Sequence, residues 1–573
     1  MSSPFASKLG TNYCPTDDEV VEIRDLLVEP LTHLKRLEAR IADLQKTIDE
    51  LAEERVAVST YVDAHRALIS PVRRLPLDIL QEIFVACLPT DRNCVMSMAE
   101  APVLLGRICS SWRALSLSTP RLWCSLHIVE PMSGNVDLLG RRINSLVFEE
   151  KLAQRLETTA KWLSRSTQLP LSISFRSYLD LNQTPPTPES AQRTRLFLQT
   201  LIPFAHRWQS IKLSASWDAL DSLSHLTDTD VPLLTKLDIT QQRGSASGEW
   251  PLPALLRASR LSGFAFAGQM DLYALPVRWE NMTALSLTSP ENENGTITCR
   301  RALEILSKCA HLQFCRLQVV DEGPVAALDP DAPYLELGFL HSLSVGSRGV
   351  STTKLARLLA RLVVPALRHL ELHSHGRSRW GVTEDTDTAV ADLLVFFGTA
   401  PAFQSLYLHM EILSKKPLVD LVRGLPLSTT KLHFADRVWR RPAVGGGFEV
   451  AGDLDDDVMV ALTPAASGNP VAGCPALREL RITKSYSLSD RVLSRFITAR
   501  MAGPRASALR RVDIQFARPM QVDITPDIQS FLADGRLEVV TTYPPNEMEL
   551  SFSPWRGLPE ESGWKVAPMF SIF

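Results

Sequence analysis

One short unit, apolar-x-x-Leu-x-apolar, recurs along most of this chain and constrains its fold more than any other feature. It reads Trp208-Gln-Ser-Ile-Lys-Leu213, Leu234-Thr-Lys-Leu-Asp-Ile239, Leu261-Ser-Gly-Phe-Ala-Phe266, Met282-Thr-Ala-Leu-Ser-Leu287, Leu312-Gln-Phe-Cys-Arg-Leu317, Leu340-His-Ser-Leu-Ser-Val345, Leu367-Arg-His-Leu-Glu-Leu372 and Phe403-Gln-Ser-Leu-Tyr-Leu408. A weaker copy centres on Leu432, and further copies stand at Leu477–Ile482 and Leu509–Ile514. Starts are mostly 21 to 36 residues apart. Side chains alternate along a strand, so the fourth and sixth residues share one face and the third and fifth the other. Helical spacing, as in Leu303–Leu306 and Leu355–Leu362, fills the intervals. Strand then helix, repeated, predicts a curved α/β solenoid with a parallel sheet on its inner face. The third and fifth residues put Lys236, Asp238, Arg316, His369, Glu371, Tyr407, His433, Glu479, Arg481, Arg511 and Asp513 on a candidate binding face. The contact residues singled out are Arg316, Glu371, Tyr407, His433, Arg481 and Arg511, with Tyr407 and the arginines as anchors, because such side chains dominate protein interfaces.

Two helical stretches precede the repeats. Val20, Ile23, Leu27, Leu34, Leu37, Ile41, Leu44, Ile48, Leu51 and Val58 follow the three-four spacing of a coiled-coil seam, with charged flanks. Pro30 predicts a kink or restart, and Arg55 weakens the seam. Two uses fit this rod: a homodimer through residues 31–65, or folding back along the neighbouring module or the C-terminal region. Its length tips the reading to the homodimer. Ser70-Pro71 ends it. Then Pro76 and Asp78 suit a helical first turn, and Ile79, Leu80, Ile83, Phe84 and Cys87 predict one broad apolar stripe. Val103, Leu104, Ile108, Trp112 and Leu115 predict a second helix, stopped by Pro120. So small a helical module either belongs to a larger core or buries its stripe on a partner.

Chemistry is sparse. A net charge of -3 steers nothing toward nucleic acid. Nine scattered cysteines without a CxxC pair fit reduced thiols, and no metal site or cofactor is expected. Without a signal peptide or an 18-residue apolar run, no membrane is expected, and the chain reads as cytoplasmic or nuclear. Gly244-Ser-Ala-Ser-Gly248 has Ala246 where a nucleophile elbow needs serine. No catalytic residues are named, and the chain reads as no enzyme. Between Leu432 and Leu480 lies roughly one extra unit, containing Gly445–Gly447, Asp453 and Asp455–Asp457, which reads as an exposed loop. Its aspartates lack a calcium-loop pattern and read as a solvated acidic turn. Arg437, Trp439, Arg440 and Arg441 form a small basic-aromatic patch, and Trp555, Trp564, Phe570 and Phe573 are placed to cap the last repeat.

Two resemblances follow from these residues. The repeats resemble leucine-rich repeats in period and partly in motif, although Gln242 and His375 stand where Asn usually follows the strand. Leu75, Pro76, Asp78, Ile79, Leu80, Ile83, Phe84, Cys109, Trp112 and Arg113 resemble an F-box, and Thr119-Pro-Arg-Leu-Trp123 resembles the tail common in mushroom-type fungal F-box proteins. The segment Cys87–Pro102 is longer than in most F-boxes. F-boxes dock on the small adaptor of cullin-based ubiquitin ligases, so the resemblance implies that Leu75, Pro76, Ile79, Leu80, Ile83, Phe84 and Trp112 line or support that contact. The organisation expected is a flexible tail (1–18), a coiled coil (19–70), the F-box (71–128), a leucine-rich-repeat-like solenoid (129–545) and a tail (546–573). The function expected is an SCF-type substrate receptor whose solenoid binds a target protein. The alternative is a coiled-coil and solenoid scaffold without a ligase role.

Overall fold

The structure, a computed structural model, describes residues 3–131, 145–177, 188–241, 252–268, 275–288, 297–320, 333–348, 350–374, 386–435, 454–464, 473–502 and 509–544. Gln242, Gly244–Gly248, His375, Arg437–Arg441, Gly445–Gly447, Asp453 and the aromatics after Tyr543 lie outside these. The chain forms two compact units, Met1–Ala86 and Cys87–Phe573, so the stretch read as one module over 71–128 is divided between them.

The first unit is dominated by helix α1 (Asp17–Leu68), 52 residues that make a rod of about 78 Å. Thr16 and Glu19 form a reciprocal capping box at its start. Lys8 Nζ lies 2.8 Å from the Glu19 carboxylate and Tyr13 donates to it, so the stretch before the helix is tied to the helix start. Lys8, then the Thr16 N–H, hold that carboxyl at about 2. The expected restart at Pro30 is not found: one helix passes through it, the missing rung being carried by long helix on both sides. The seam residues from Leu34 to Val58 are solvent-exposed, from 47% at Leu37 to 65% at Ile41, whereas Val20 and Ile23 are half-buried. Helix α2 (Leu77–Ala86) closes this unit.

The second unit begins with α3 (Leu105–Ile108) and α4 (Ser110–Ser118), where the sequence predicts one helix. Cys109 is extended between them (φ -156, ψ 170), and its Sγ accepts the Trp112 N–H, so it starts a new helix. Then come β1 (Ser125–Val129), α5 (Ser145–Arg165), β2 (Leu171–Arg176), α6 (Pro188–Leu201), β3 (Trp208–Ala215), α7 (Trp217–Leu220), β4 (Lys236–Gln241), α8 (Pro253–Leu256), β5 (Gly263–Ala267), β6 (Ala284–Thr288), β7 (Ile297–Thr298), α9 (Cys299–Leu306) and β8 (Phe314–Val320). These are followed by β9 (Leu335–Glu336), β10 (Ser342–Arg348), α10 (Thr352–Ala360), β11 (Leu362–Val363), β12 (His369–Ser374), α11 (Thr386–Gly398), β13 (Ser405–His409), α12 (Lys415–Gly424), β14 (Lys431–Ala435), α13 (Asp456–Leu462), β15 (Glu479–Ser485), α14 (Asp490–Ala502), β16 (Arg511–Phe516), α15 (Thr525–Ala533) and β17 (Glu538–Thr542).

The strands form one parallel sheet in chain order, β1-β2-β3-β4-β5-β6-β8-β10-β12-β13-β14-β15-β16-β17, with β7 beside β8 and a separate β9–β11 pair. The register aligns the repeat unit: Leu237, Phe264, Leu285, Cys315, Leu343, Leu370, Leu406, Leu432, Leu480 and Val512 pair in one row, and all are buried. A mixed α/β architecture with a long N-terminal helix and a series of parallel strands is therefore what the chain builds. One unit cannot bury its own apolar face, so each repeat is stable only against its neighbours. The extra interval before Leu480 is not wholly loop. Asp455 caps α13 by accepting the Asp457 N–H, and Asp456 accepts from Ser489 N and Oγ. Val458, Met459, Ala461 and Leu462 are buried, so the expected acidic turn is a helix start.

Candidate functional site

On the open face of the sheet, the fifth residues of the units form a continuous row: Lys212, Asp238, Ala265, Ser286, Arg316, Ser344, Glu371, Tyr407, His433, Arg481 and Asp513. Five of the six residues singled out from the sequence stand in this row, and Arg511 stands beside Glu479 in the neighbouring row. The alternation rule carried their placement.

The centre of the row is a ring cluster. The Tyr407 ring lies 4.7 Å from His373 and 4.6 Å from His433, edge-on to the latter. His409 Nδ1 accepts the Ser374 N–H at 3.1 Å, which leaves its Nε2–H to donate to Tyr407 Oη at 3.1 Å. His433 Nε2 sits 3.1 Å from Thr483 Oγ1, and burial followed by the nearby Arg481 lowers its pKa to about 4, so it is neutral at pH 7. Glu371 takes a hydrogen bond from His373 at 3.2 Å and faces Arg316 at 3.6 Å. Those contacts, His373 first, outweigh burial and hold the carboxyl at about 2. Burial raises the Tyr407 hydroxyl. Arg481 and Arg511 both face Asp513, and Arg511 also faces Glu538. Exposed pairs of this kind contribute about 0–1 kcal/mol each. Among these groups His433 is a neutral imidazole and Glu371 a paired anion, so what the arrangement offers is a polar and aromatic contact surface.

An open cavity of about 980 Å³ lies over the other half of the same face, lined by residues of both rows from His127 to Glu371 and by Thr90–Asn93 and Val95. The long segment Cys87–Pro102 supplies that wall. Val95 bridges His127, and Asn93 Oδ1 accepts from Ser125 Oγ at 3.1 Å and Ser172 Oγ at 2.8 Å. The segment therefore covers the first edge of the sheet, the usual remedy for an open strand. Sequence reasoning put Lys236, Asp238, Arg316 and Glu371 on this half of the face but missed the depression among them. Its signal was available: the outward positions of two consecutive units read Gly263, Ala265, Ala284 and Ser286, small residues that leave a depression.

The adaptor candidates separate into two stripes. On α2, Leu80 and Phe84 are buried, whereas Ile79 (46% exposed) and Ile83 (41%), with the exposed Pro76 just before the helix, lie at helical spacing on the other side. The single broad stripe predicted from sequence is thus two, because i and i+4 neighbours share a face while i+1 neighbours turn away. Leu75 and, in the second unit, Trp112 are half-buried.

Burial raises the Cys309 and Cys474 thiols to about 12 and Cys315 further, so none of these is a ready nucleophile. Among the described residues no group of three His, Cys, Asp or Glu could hold a metal ion, and no helix is long and apolar enough to cross a membrane. No protein-family model matches the chain, and no curated protein matches it. Among solved structures, a chain of the crystal structure of the Rad7 and Elc1 complex in yeast is similar at 13% identity, covering 67% of this chain and 92% of that one with a TM-score of 0.31, a likeness too loose to carry function across.

Proposed function

We propose that the chain is a non-catalytic substrate receptor of an SCF-type cullin ubiquitin ligase, acting in the cytoplasm or nucleus. The F-box-like stretch docks on the small adaptor, and the open face of the sheet takes a target protein. The observation that carries this reading is the exposed Pro76–Ile79–Ile83 stripe within the Leu-Pro-x-Asp-Ile-Leu…Ile-Phe pattern. The mechanism is proximity: a held target sees the loaded transfer enzyme at high effective concentration, and no reacting group of this chain is needed. The seam of α1 takes a second copy through residues 31–65.

The test is a pull-down of purified adaptor by the full chain, wild type against an Ile79→Ala, Ile83→Ala double variant. Both side chains are exposed, so circular dichroism should be unchanged while adaptor affinity falls by about two orders of magnitude. Equal binding by both proteins rejects the docking stripe. No binding by wild type moves the function to the scaffold reading. Self-association is read separately by sedimentation equilibrium: Leu37→Lys with Leu44→Lys should halve the mass of a dimer, and a wild type that is monomeric throughout rejects the pairing.

A further inference from the structure

We propose that the depression between β4 and β8 is the anchor pocket of the open face, taking one aromatic side chain from a peptide segment that carries a carboxylate next to that aromatic. This deepens the target-binding reading above and rests on it for biological purpose, but not for its chemistry.

The geometry begins with register. Gly263 pairs with Ala284 and Ala265 with Ser286, so two adjacent strands present almost no side chain to this face. On one side stand Lys236 and Asp238 of β4, and on the other Phe314 and Arg316 of β8. With strands about 4.8 Å apart, the walls are about 14 Å apart backbone to backbone, and the two outward rows are about 7 Å apart along the strands. That footprint suits one aromatic ring. The floor is the Ala265 and Ala284 methyl groups, the short Ser286 side chain and backbone, so burying a ring there displaces water from largely apolar surface. Phe314 is 55% exposed and lines the cavity, a ready face for a ring to stack on.

Charge selects what accompanies the ring. Lys212 is paired with Asp238 at 2.9 Å, and Arg316 with Glu371. Arg92, on the cavity's loop wall, is paired with Glu100. Lys236 is exposed and has no ion pair among the described residues. Its stem lies over Gly263, whose Cβ, if it had one, would stand 3.2 Å from Lys236 Cγ. Lys236 therefore borders the depression, within reach of a carboxylate one residue from the bound aromatic. A cationic flank would meet it with like charge.

The experiment is ligand-observed saturation-transfer NMR with the full chain and three probes: N-acetyl-Asp-Trp-amide, N-acetyl-Lys-Trp-amide and N-acetyl-Asp-Ala-amide. Saturable binding is expected for the first, at least fivefold weaker binding for the other two. Ala284→Leu fills the depression and Lys236→Glu reverses the rim, and each should weaken the Asp-Trp probe at least fivefold. Lys236 is exposed, so that variant keeps the fold even if the packed one does not. Equal binding by Lys236→Glu, a preference for the Lys-Trp probe, or no binding of the Asp-Trp probe overturns the proposal. None of these readings involves the adaptor, so loss of the ligase reading would leave this result standing, and the reverse holds too.

Discussion

Replacing Arg500 with methionine is expected to destabilise the second unit by about 3–5 kcal/mol, the scale of an uncompensated loss in a buried charge network. Arg500 lies on α14 and is 3% exposed. Its guanidinium donates to Leu462 O from Nε (3.0 Å) and Nη2 (2.6 Å), to Cys474 O from Nη1 (2.8 Å) and to Gly473 O from Nη2 (2.8 Å). Leu462 ends α13, and the last carbonyls of a helix have no partner within it. Burial lowers the Arg500 pKa to about 10, so it is still charged at neutral pH and its bonds are charge-assisted. Methionine keeps the stem's packing but takes the guanidinium from all three carbonyls, leaving Leu462 O and Gly473 O without a partner among the described residues while Cys474 O keeps the Leu477 N–H. Lysine keeps the charge, yet its single ammonium lacks the planar fork that reaches all three, so Arg500→Lys should recover only part of the loss. Arg207 makes the same tie earlier in the array, to Leu163 O in the last turn of α5 and to Ser166 Oγ and Thr167 O just after it. Because each repeat leans on its neighbours, the damage should be local. Hydrogen exchange should rise across β15 to β17 before β3 to β6, and urea unfolding should broaden. A variant with unchanged midpoint and unchanged exchange in β15 to β17 would show that the guanidinium is dispensable there.

The sheet was legible because one rule governs it. Alternation placed Arg316, Glu371, Tyr407, His433 and Arg481 in a row before any coordinates, and the buried row from Leu237 to Val512 is the same rule seen from behind. The array is longer than the sequence reading made it. Trp123-Cys-Ser-Leu-His-Ile128 is itself a copy of the unit, hidden because Trp123 also fits the tail of the F-box pattern. Trp123 serves both: its Nε1 donates to Ser116 O at the end of α4, and its ring meets Trp162 edge-on at 4.8 Å. The unit at β2 has Pro170 in the first position, and that at β17 has Arg536 there with Thr541 in the sixth, so pattern matching passes over both. Helix ends were less legible, since they depend on single polar contacts. The Cys109 Sγ cap split one predicted helix, and the Asp455 cap turned a predicted loop into α13. The depression was not legible for a different reason: the large side chains of the face mark its walls, whereas its floor is made where they are lacking, at Gly263, Ala265, Ala284 and Ser286.

Asp490→Ala should open the C-terminal end of the array at a cost of about 3–5 kcal/mol. The Asp490 side chain is fully buried. Its carboxylate accepts from Gln521 N (2.7 Å), Val522 N (2.9 Å), Arg518 Nη2 (2.8 Å) and Tyr543 Oη (3.1 Å), while Phe516 stacks on Tyr543 at 4.6 Å. These contacts bind the stretch after β16 and Tyr543, the residue after β17, to α14, at the end of the sheet where β17 has only β16 beside it. Burial alone would raise the carboxyl pKa, but the bonds from Arg518, Val522 and Gln521 outweigh it and leave it below its ordinary 3.8. A depressed folded value means that the stabilisation is present above about pH 3.8 and is lost as the pH falls through the folded pKa. Asp490→Asn tests the charge separately from the shape: it should be less stable than wild type at pH 7, and the gap should close as the pH drops below 3.8. Melting curves of the two proteins across that range decide the matter. A gap that persists at low pH would assign the effect to lost geometry, and no gap at pH 7 would remove the carboxylate from the account of how this end of the array is held.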